Sequence, residues 1–194
     1  MPVASMPHSK EYLRRLREQL SDDKVSHSVF TAEYLSSFAI TLGVFHDEAV
    51  TAGLLHDFCR NLNKVDMLEK ARGFRLPTSE SQMEKPSLLH GPVAAETCRR
   101  EFGISDAVYE AIYWHTTGRP GLGILGQALY VADFAEPSRR FPEAAEARKR
   151  LRKQGFDNAL RYVAEMKLVL CQNKKVVDPN TEAFLLWLKT RKSL

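Results

Sequence analysis

The stretch Ala49–Phe58 reads Ala-Val-Thr-Ala-Gly-Leu-Leu-His-Asp-Phe, an apolar run interrupted only by Thr51 and by a histidine and an aspartate side by side. A helix of this composition is apolar around most of its circumference and has to be buried. An unpaired carboxylate inside it costs several kcal/mol, so Asp57 requires a cation or hydrogen-bond donors. Successive helical residues point about 100° apart, which still lets His56 and Asp57 reach one ion at the helix surface. A core histidine bonded to a backbone carbonyl, beside a capping aspartate, is the alternative reading.

The rest of the chain keeps the helical period. Tyr12, Leu13, Leu16 and Leu20 share a side of a helix over 10–20. A second helix opens at Ser21 or Asp22 and closes at Gly43, with His27, Phe30, Tyr34 and Phe38 on one stripe. The His56-Asp57 helix is expected over 47–60 and a shorter one over 63–72, followed by a Pro- and Ser-bearing loop over 76–87. His90-Gly91-Pro92 opens another helix, Pro92 suiting a first turn. Ser105 caps the next, whose stripe ends at His115; a polar turn follows over 116–121. Leu122, Leu125, Leu129 and Asp133 then share a face, and helices are expected over 142–154, 156–173 and 180–191. No segment alternates with period two for long enough to predict a strand, so the expected fold class is all-α, one domain of roughly nine or ten helices.

Bulk properties narrow the function. A 194-residue chain, 44% apolar and 27% charged, is large enough for one full core. Its longest uncharged stretches are too short to span a bilayer, and there is no apolar signal-peptide core, so a cytoplasmic location is expected. Cys59, Cys98 and Cys171 form no CxxC pair and read as buried free thiols. A net charge of +4 is mild, and the basic stretch from Arg139 to Lys153 lacks the interleaved aromatics of a single-strand binder. Nucleic acid is therefore not an expected partner, although that basic stretch is the one feature on which an RNA-associated role would rest.

His27, His56, Asp57, His90, His115 and Asp133 all fall near an apolar helical stripe or a helix end, and they include four of the six histidines in the chain. Leaving six such groups buried and unpaired would cost more than the net stability of a domain. Four imidazoles and two carboxylates match one or two first-row divalent ions. His27, His56, Asp57 and Asp133 suffice for one ion, and His90 with His115 can hold a second, with Asp57 bridging. Two ions about 3.5–4 Å apart can clamp both oxygens of an in-line phosphoryl displacement. Nitrogen and oxygen donors without thiolate suit iron, manganese, cobalt or zinc.

The order His27, His56-Asp57, Asp133 resembles the signature of the HD-domain metal-dependent phosphohydrolases. Longer runs are more specific: His90 to Ala95, Trp114-His115-Thr116-Thr117-Gly118-Arg119-Pro120, Tyr130 to Asp133 and Glu136 to Arg139 resemble the YqeK-like family, the bacterial symmetrical bis(5′-nucleosyl)-tetraphosphatases. The similarity covers about 21–170. It departs at Arg60, where the family often has lysine, and at Lys24, where arginine is common.

Residues 1–9 show no periodicity and are expected to be a flexible tail, and the resemblance implies that 10–194 form one HD domain. It implies hydrolysis of diadenosine tetraphosphate to two ADP at a di-iron centre held by the six residues above, with His56 and Asp57 at the catalytic heart. Arg60, Lys64, Arg119 and Arg139 are the candidate cations for the phosphates, and Thr116 and Thr117 the candidate hydroxyl donors. Substrate and product nucleotides are the expected partners, and a homodimer is compatible with the chain. The competing readings are another nucleotide phosphohydrolase of the same superfamily and a metal- and nucleotide-binding module without turnover.

Overall fold

The structure is a computed structural model, and it describes residues 8–191. Among the described residues there are eleven α-helices and no strand. The N-terminal half comprises α1 (Ser9–Gln19), α2 (Asp22–Ala39), α3 (His46–Leu55), α4 (Lys64–Gly73), α5 (Glu80–Glu84), α6 (His90–Phe102) and α7 (Asp106–Trp114). The C-terminal half comprises α8 (Ile124–Ala135), α9 (Pro142–Gln154), α10 (Phe156–Asn173) and α11 (Pro179–Thr190). No described helix is long and apolar enough to cross a membrane.

Most expected boundaries coincide with the observed ones, because caps and breakers set them. Asn63 caps α4 by accepting from the Val65 and Asp66 N–H groups, and Ser105 caps α7 through Val108 N–H. The element beyond those anticipated is α5, inside the expected 76–87 loop. It is five residues long and held by a reciprocal capping box between Ser79 and Gln82. Of the expected tail, residues 1–7 lie outside the described residues. His8 is exposed, but Ser9 opens α1 and is buried.

The helix expected over 47–60 ends early, at Leu55. His56 donates its Nδ1–H to the Gly53 carbonyl at 2.8 Å, the acceptor that the Asp57 N–H would need to continue the helix. From there the chain tightens into i→i+3 turns, with Phe58 N–H bonded to Leu55 O and Arg60 N–H to Asp57 O. His56 and Asp57 therefore sit on a helix exit. This corrects the helical placement expected from the sequence.

Two apolar cores meet at α8. Leu125, Ala128, Leu129 and Ala132 of this helix face a core built from α1–α4, α6 and α7. Tyr130, Val131, Phe134 and Ala135 face a second core shared with α9–α11. Apolar on both sides, α8 is the buried axis of the molecule.

Close backbone approach sets the distances between the helices of the first core. A Cβ on Gly53 would lie 2.8 Å from Ala32 N, so glycine is what lets α3 lie against α2. A Cβ on Gly91 would lie 2.9 Å from Tyr113 O and 3.0 Å from Ile112 O, so the start of α6 is pressed against the end of α7 in the same way.

Candidate metal centre

The six residues expected as ligands converge on one place. His27 comes from α2, His56 and Asp57 from the exit of α3, His90 from the first turn of α6, His115 from the end of α7 and Asp133 from the last turns of α8. His27, His56 and Asp57 form one group whose donor atoms all lie within 4.8 Å of one another, and Asp57, His90 and His115 form another. Asp57 belongs to both.

Three of the imidazoles are held alike. Nδ1 of His56 meets Gly53 O at 2.8 Å, Nδ1 of His90 meets Ser87 O at 2.6 Å and Nδ1 of His115 meets Ile112 O at 2.7 Å. In each case the acceptor is the carbonyl three residues earlier, at a helix end or turn. A neutral imidazole has one N–H, so these bonds leave Nε2 as a bare lone pair. Two of those lone pairs point at one another, with His90 Nε2 and His115 Nε2 2.9 Å apart, and the third, His56 Nε2, lies 3.3 Å from His27 Nε2. Facing acceptors with no proton between them repel. A cation relieves this, and nitrogen ligands about 2.1 Å from a metal are themselves about 3.0–3.4 Å apart. The donor set thus fits a pair of divalent ions.

His27 is oriented differently. Its Nδ1 faces Glu136 Oε1 at 3.2 Å and its Nε2 faces Asp133 Oδ1 at 3.2 Å. Glu136 is fully buried and is fixed by the Ser138 N–H at 2.6 Å and the Ser138 hydroxyl at 2.5 Å. A carboxylate behind a histidine fixes its tautomer and strengthens it as a ligand. Glu136 was not among the residues singled out from the sequence. Its signal is the i,i+3 spacing from Asp133 at a helix end.

Charge in the site follows from these contacts. Burial drives the fully enclosed His56 down to about 4 and also lowers His115, keeping both imidazoles neutral. Burial opposes protonation of His27 as well, but Asp133 and Glu136 on either side of the ring carry it up to about 9. Burial works against Asp57 and Asp133, yet His56, His115 and His90 around the first, and Lys167 with His27 around the second, hold both well below the usual carboxylate range.

Beside the donors lies a cavity of about 220 Å³ lined by Asp57, Arg60, His90, His115, Thr116 and Asp133, with a basic wall from Lys85, Lys167 and Lys174. The residues expected to bind phosphate separate here. Arg60 lies 2.8 Å from the His90 ring, and the Thr116 hydroxyl is 3.3 Å from both His90 Nε2 and His115 Nε2. Arg139 reaches His27 Nε2 at 3.1 Å and Asp133 Oδ1 at 3.3 Å. Thr117, by contrast, is buried and donates to Gly118 O. Arg119 is paired with Glu110 and lies over Trp114, and Lys64 is exposed at the start of α4. Lys85, Lys167 and Lys174 were missed, because nothing in the local pattern of a charged helix face or loop marks its place in a cavity.

The basic stretch after α8 divides: Arg140, Lys149, Arg152 and Lys153 are exposed, whereas Arg139 and Arg148 turn inward. Arg148 donates to the carbonyls of Ala135, Glu136 and Arg139, and Arg150 pairs with Glu146. Cys59 and Cys98 are buried as expected, whereas Cys171 is partly exposed on the cavity wall.

The HD domain family matches residues 25–166. The symmetrical bis(5′-nucleosyl)-tetraphosphatase of Bacillus subtilis is 30% identical over 181 residues, covering 92% of this chain and 96% of that protein. The protein of the same name from Staphylococcus aureus is 32% identical over 162 residues, 81% of each chain. The crystal structure of a predicted HD superfamily hydrolase involved in NAD metabolism from Clostridium acetobutylicum superposes with a TM-score of 0.88 at 25% identity, covering 94% of this chain and 97% of the other. With its ordered histidines and aspartates brought into one cluster, the chain belongs to the HD domain family, in the branch of the symmetrical bis(5′-nucleosyl)-tetraphosphatases.

Proposed function

We propose that this HD-domain hydrolase cleaves bis(5′-nucleosyl) tetraphosphates symmetrically into two nucleoside diphosphates at a two-ion centre, with diadenosine tetraphosphate as substrate and iron as the metal. The observation that carries the reading is Asp57, shared by two groups of buried donors. The names of the relatives supply the substrate class.

His27, His56, Asp57 and Asp133 would hold one ion and His90, His115 and Asp57 the other. Such ions supply charge neutralisation at phosphate oxygens and lower the pKa of water. The chain does the rest by positioning and charge, as phosphoryl transfer demands. Asp57, Asp133 and Glu136 are balanced by Arg60, Arg139 and Lys167, so bound ions leave a net positive site that attracts a polyphosphate. A cavity of about 220 Å³, which Lys85, Leu88, Leu170 and Lys174 also line, takes the phosphates and leaves the nucleosides outside. Thr116 faces the space between His90 and His115, where its hydroxyl meets a phosphate oxygen. Attack of water at an inner phosphorus, with cleavage of its bond to the central bridging oxygen, then yields equal halves: one nucleoside diphosphate leaves as a stable anion and the other carries the oxygen of water, whose proton passes to solvent.

The test is product identity. Protein purified without oxygen and loaded with ferrous iron is offered diadenosine tetraphosphate, ATP, GTP, AMP and NAD, beside His56→Ala and Asp57→Ala. ADP as sole product, absent in both variants, is the expected result. AMP with ATP, or turnover of NAD in preference, would move the assignment to another phosphohydrolase of the family. Metal-replete protein that turns over no nucleotide would leave a binding module.

A further inference from the structure

Lys167, on α10, comes from the half of the chain that contributes none of the imidazoles, yet its ammonium lies inside the metal centre. Nζ is 3.2 Å from Asp133 Oδ2 and 3.0 Å from the His115 carbonyl, and it sits 3.8 Å from the centroid of the fully buried Tyr130 ring. Its side chain is 13% exposed. Burying a lysine this deeply is costly unless it is paired and hydrogen-bonded, and here partners approach from three directions.

The two oxygens of Asp133 are thereby given different tasks. Oδ2 is taken by Lys167, while Oδ1 faces His27 Nε2 at 3.2 Å, His56 Nε2 at 3.8 Å and, at the rim, the Arg139 guanidinium at 3.3 Å. An ammonium on one oxygen restrains rotation of the carboxylate and competes with an ion for that oxygen, which favours the other oxygen as the ligand. The second bond of Lys167 goes to the backbone of His115, a residue of the other donor group, so one ammonium touches both halves of the centre.

We propose that Lys167 is a positioning residue of the two-ion centre, which holds Asp133 to single-oxygen coordination and fixes its spacing from His115. This rests on the two-ion reading. Lys167 serves here through Asp133 and the His115 carbonyl, and the bond-making belongs to other groups.

Lys167→Met, which keeps the apolar stem and removes the ammonium, is the first test. Manganese titration by calorimetry gives the number and affinity of bound ions, and the absorption spectrum of the cobalt form reports coordination at Asp133. Loss of the oriented carboxylate should weaken one ion about 10–100-fold, the effect expected of an outer-shell partner. The cobalt bands should change, and kcat should fall more than KM rises. Parental affinity for both ions with an unchanged cobalt spectrum would overturn the proposal. If Lys167→Met loses its helical circular dichroism, Lys167→Leu is used, which removes the ammonium with a shorter apolar stem; the same losses are expected, and parental binding again overturns the assignment. Parent protein that binds no divalent ion overturns the two-ion reading and this inference together, whereas failure in the variant alone refutes only the role of Lys167.

Discussion

Replacing Gly91 by alanine probes how the His90–His115 half is built. The added Cβ would stand 2.9 Å from Tyr113 O, 3.0 Å from Ile112 O and 3.2 Å from His115 Cε1, so the start of α6 and the end of α7 must separate by a few tenths of an ångström. Overpacking of this kind costs about 1–3 kcal/mol. In a domain of this size that lowers Tm by about 2–12 °C. The larger consequence is local, because Ile112 O is the acceptor that orients His115, and His90 Nε2 stands only 2.9 Å from His115 Nε2. Disturbing that outer contact should weaken the ion held by His90 and His115 about 10–100-fold. The ion beside His27 and His56 should be untouched. Calorimetric titration with manganese should then resolve one site at the parental affinity and one weakened relative to the parent. Two unchanged sites, or loss at the His27 side first, would refute the account of how the close approach places these ligands. Gly53→Ala is the harsher companion: its Cβ would meet the backbone of Ala32 itself, and global destabilisation should mask any local effect.

Glu136→Gln keeps the shape behind His27 but removes the carboxylate, and metal affinity should fall about 10–100-fold with little loss of helicity; parental affinity would show that Glu136 does not orient the ligand. The metal-free protein should be most stable near pH 6.5. Stability from His27, raised to about 9, is fully present below about 6.5 and lost as pH rises to about 9; that from His56, lowered to about 4, is present above about 6.5 and lost as pH falls toward about 4. Thermal melts across this range test the sign, and a Tm that climbs from pH 6.5 to 9 would contradict it. Thiol titration of the native protein should modify Cys171 quickly, with protection by ADP on metal-loaded protein. Cys59 and Cys98, pushed upward by burial, should react only on unfolding, and rapid native labelling of Cys59 would refute their enclosure.

What was legible in the sequence was whatever local chemistry decides. Pro142 and Gly155 bracket α9, and the helices over 142–154 and 156–173 match the observed elements. The donors were legible because an unpaired histidine or aspartate on an apolar stripe is costly wherever it occurs. The break after Leu55 was not, since a side chain claiming the Gly53 carbonyl has no period or composition to announce it. Glu136 and Lys167 were hidden for another reason: their meaning lies in contacts with His27, 109 residues away, and with Asp133, 34 residues away. Arg119 and Lys64 show the converse, since charge near a motif does not fix direction, and one faces Glu110 while the other faces solvent.

The meeting of two cores at α8 has a consequence for how such a molecule can be altered. Every imidazole of the centre comes from an element of the first core, whereas Lys167, Leu170 and Cys171, which wall the cavity, lie on α10, packed into the second, with Lys174 just past its end. Exchanging α9–α11 between relatives would therefore keep all four imidazoles while replacing one wall of the cavity and, at Lys167, a contact to Asp133. The four imidazoles and one wall of the cavity are thus carried on separate pieces of the chain, joined at Asp133 through His27 on one side and Lys167 on the other.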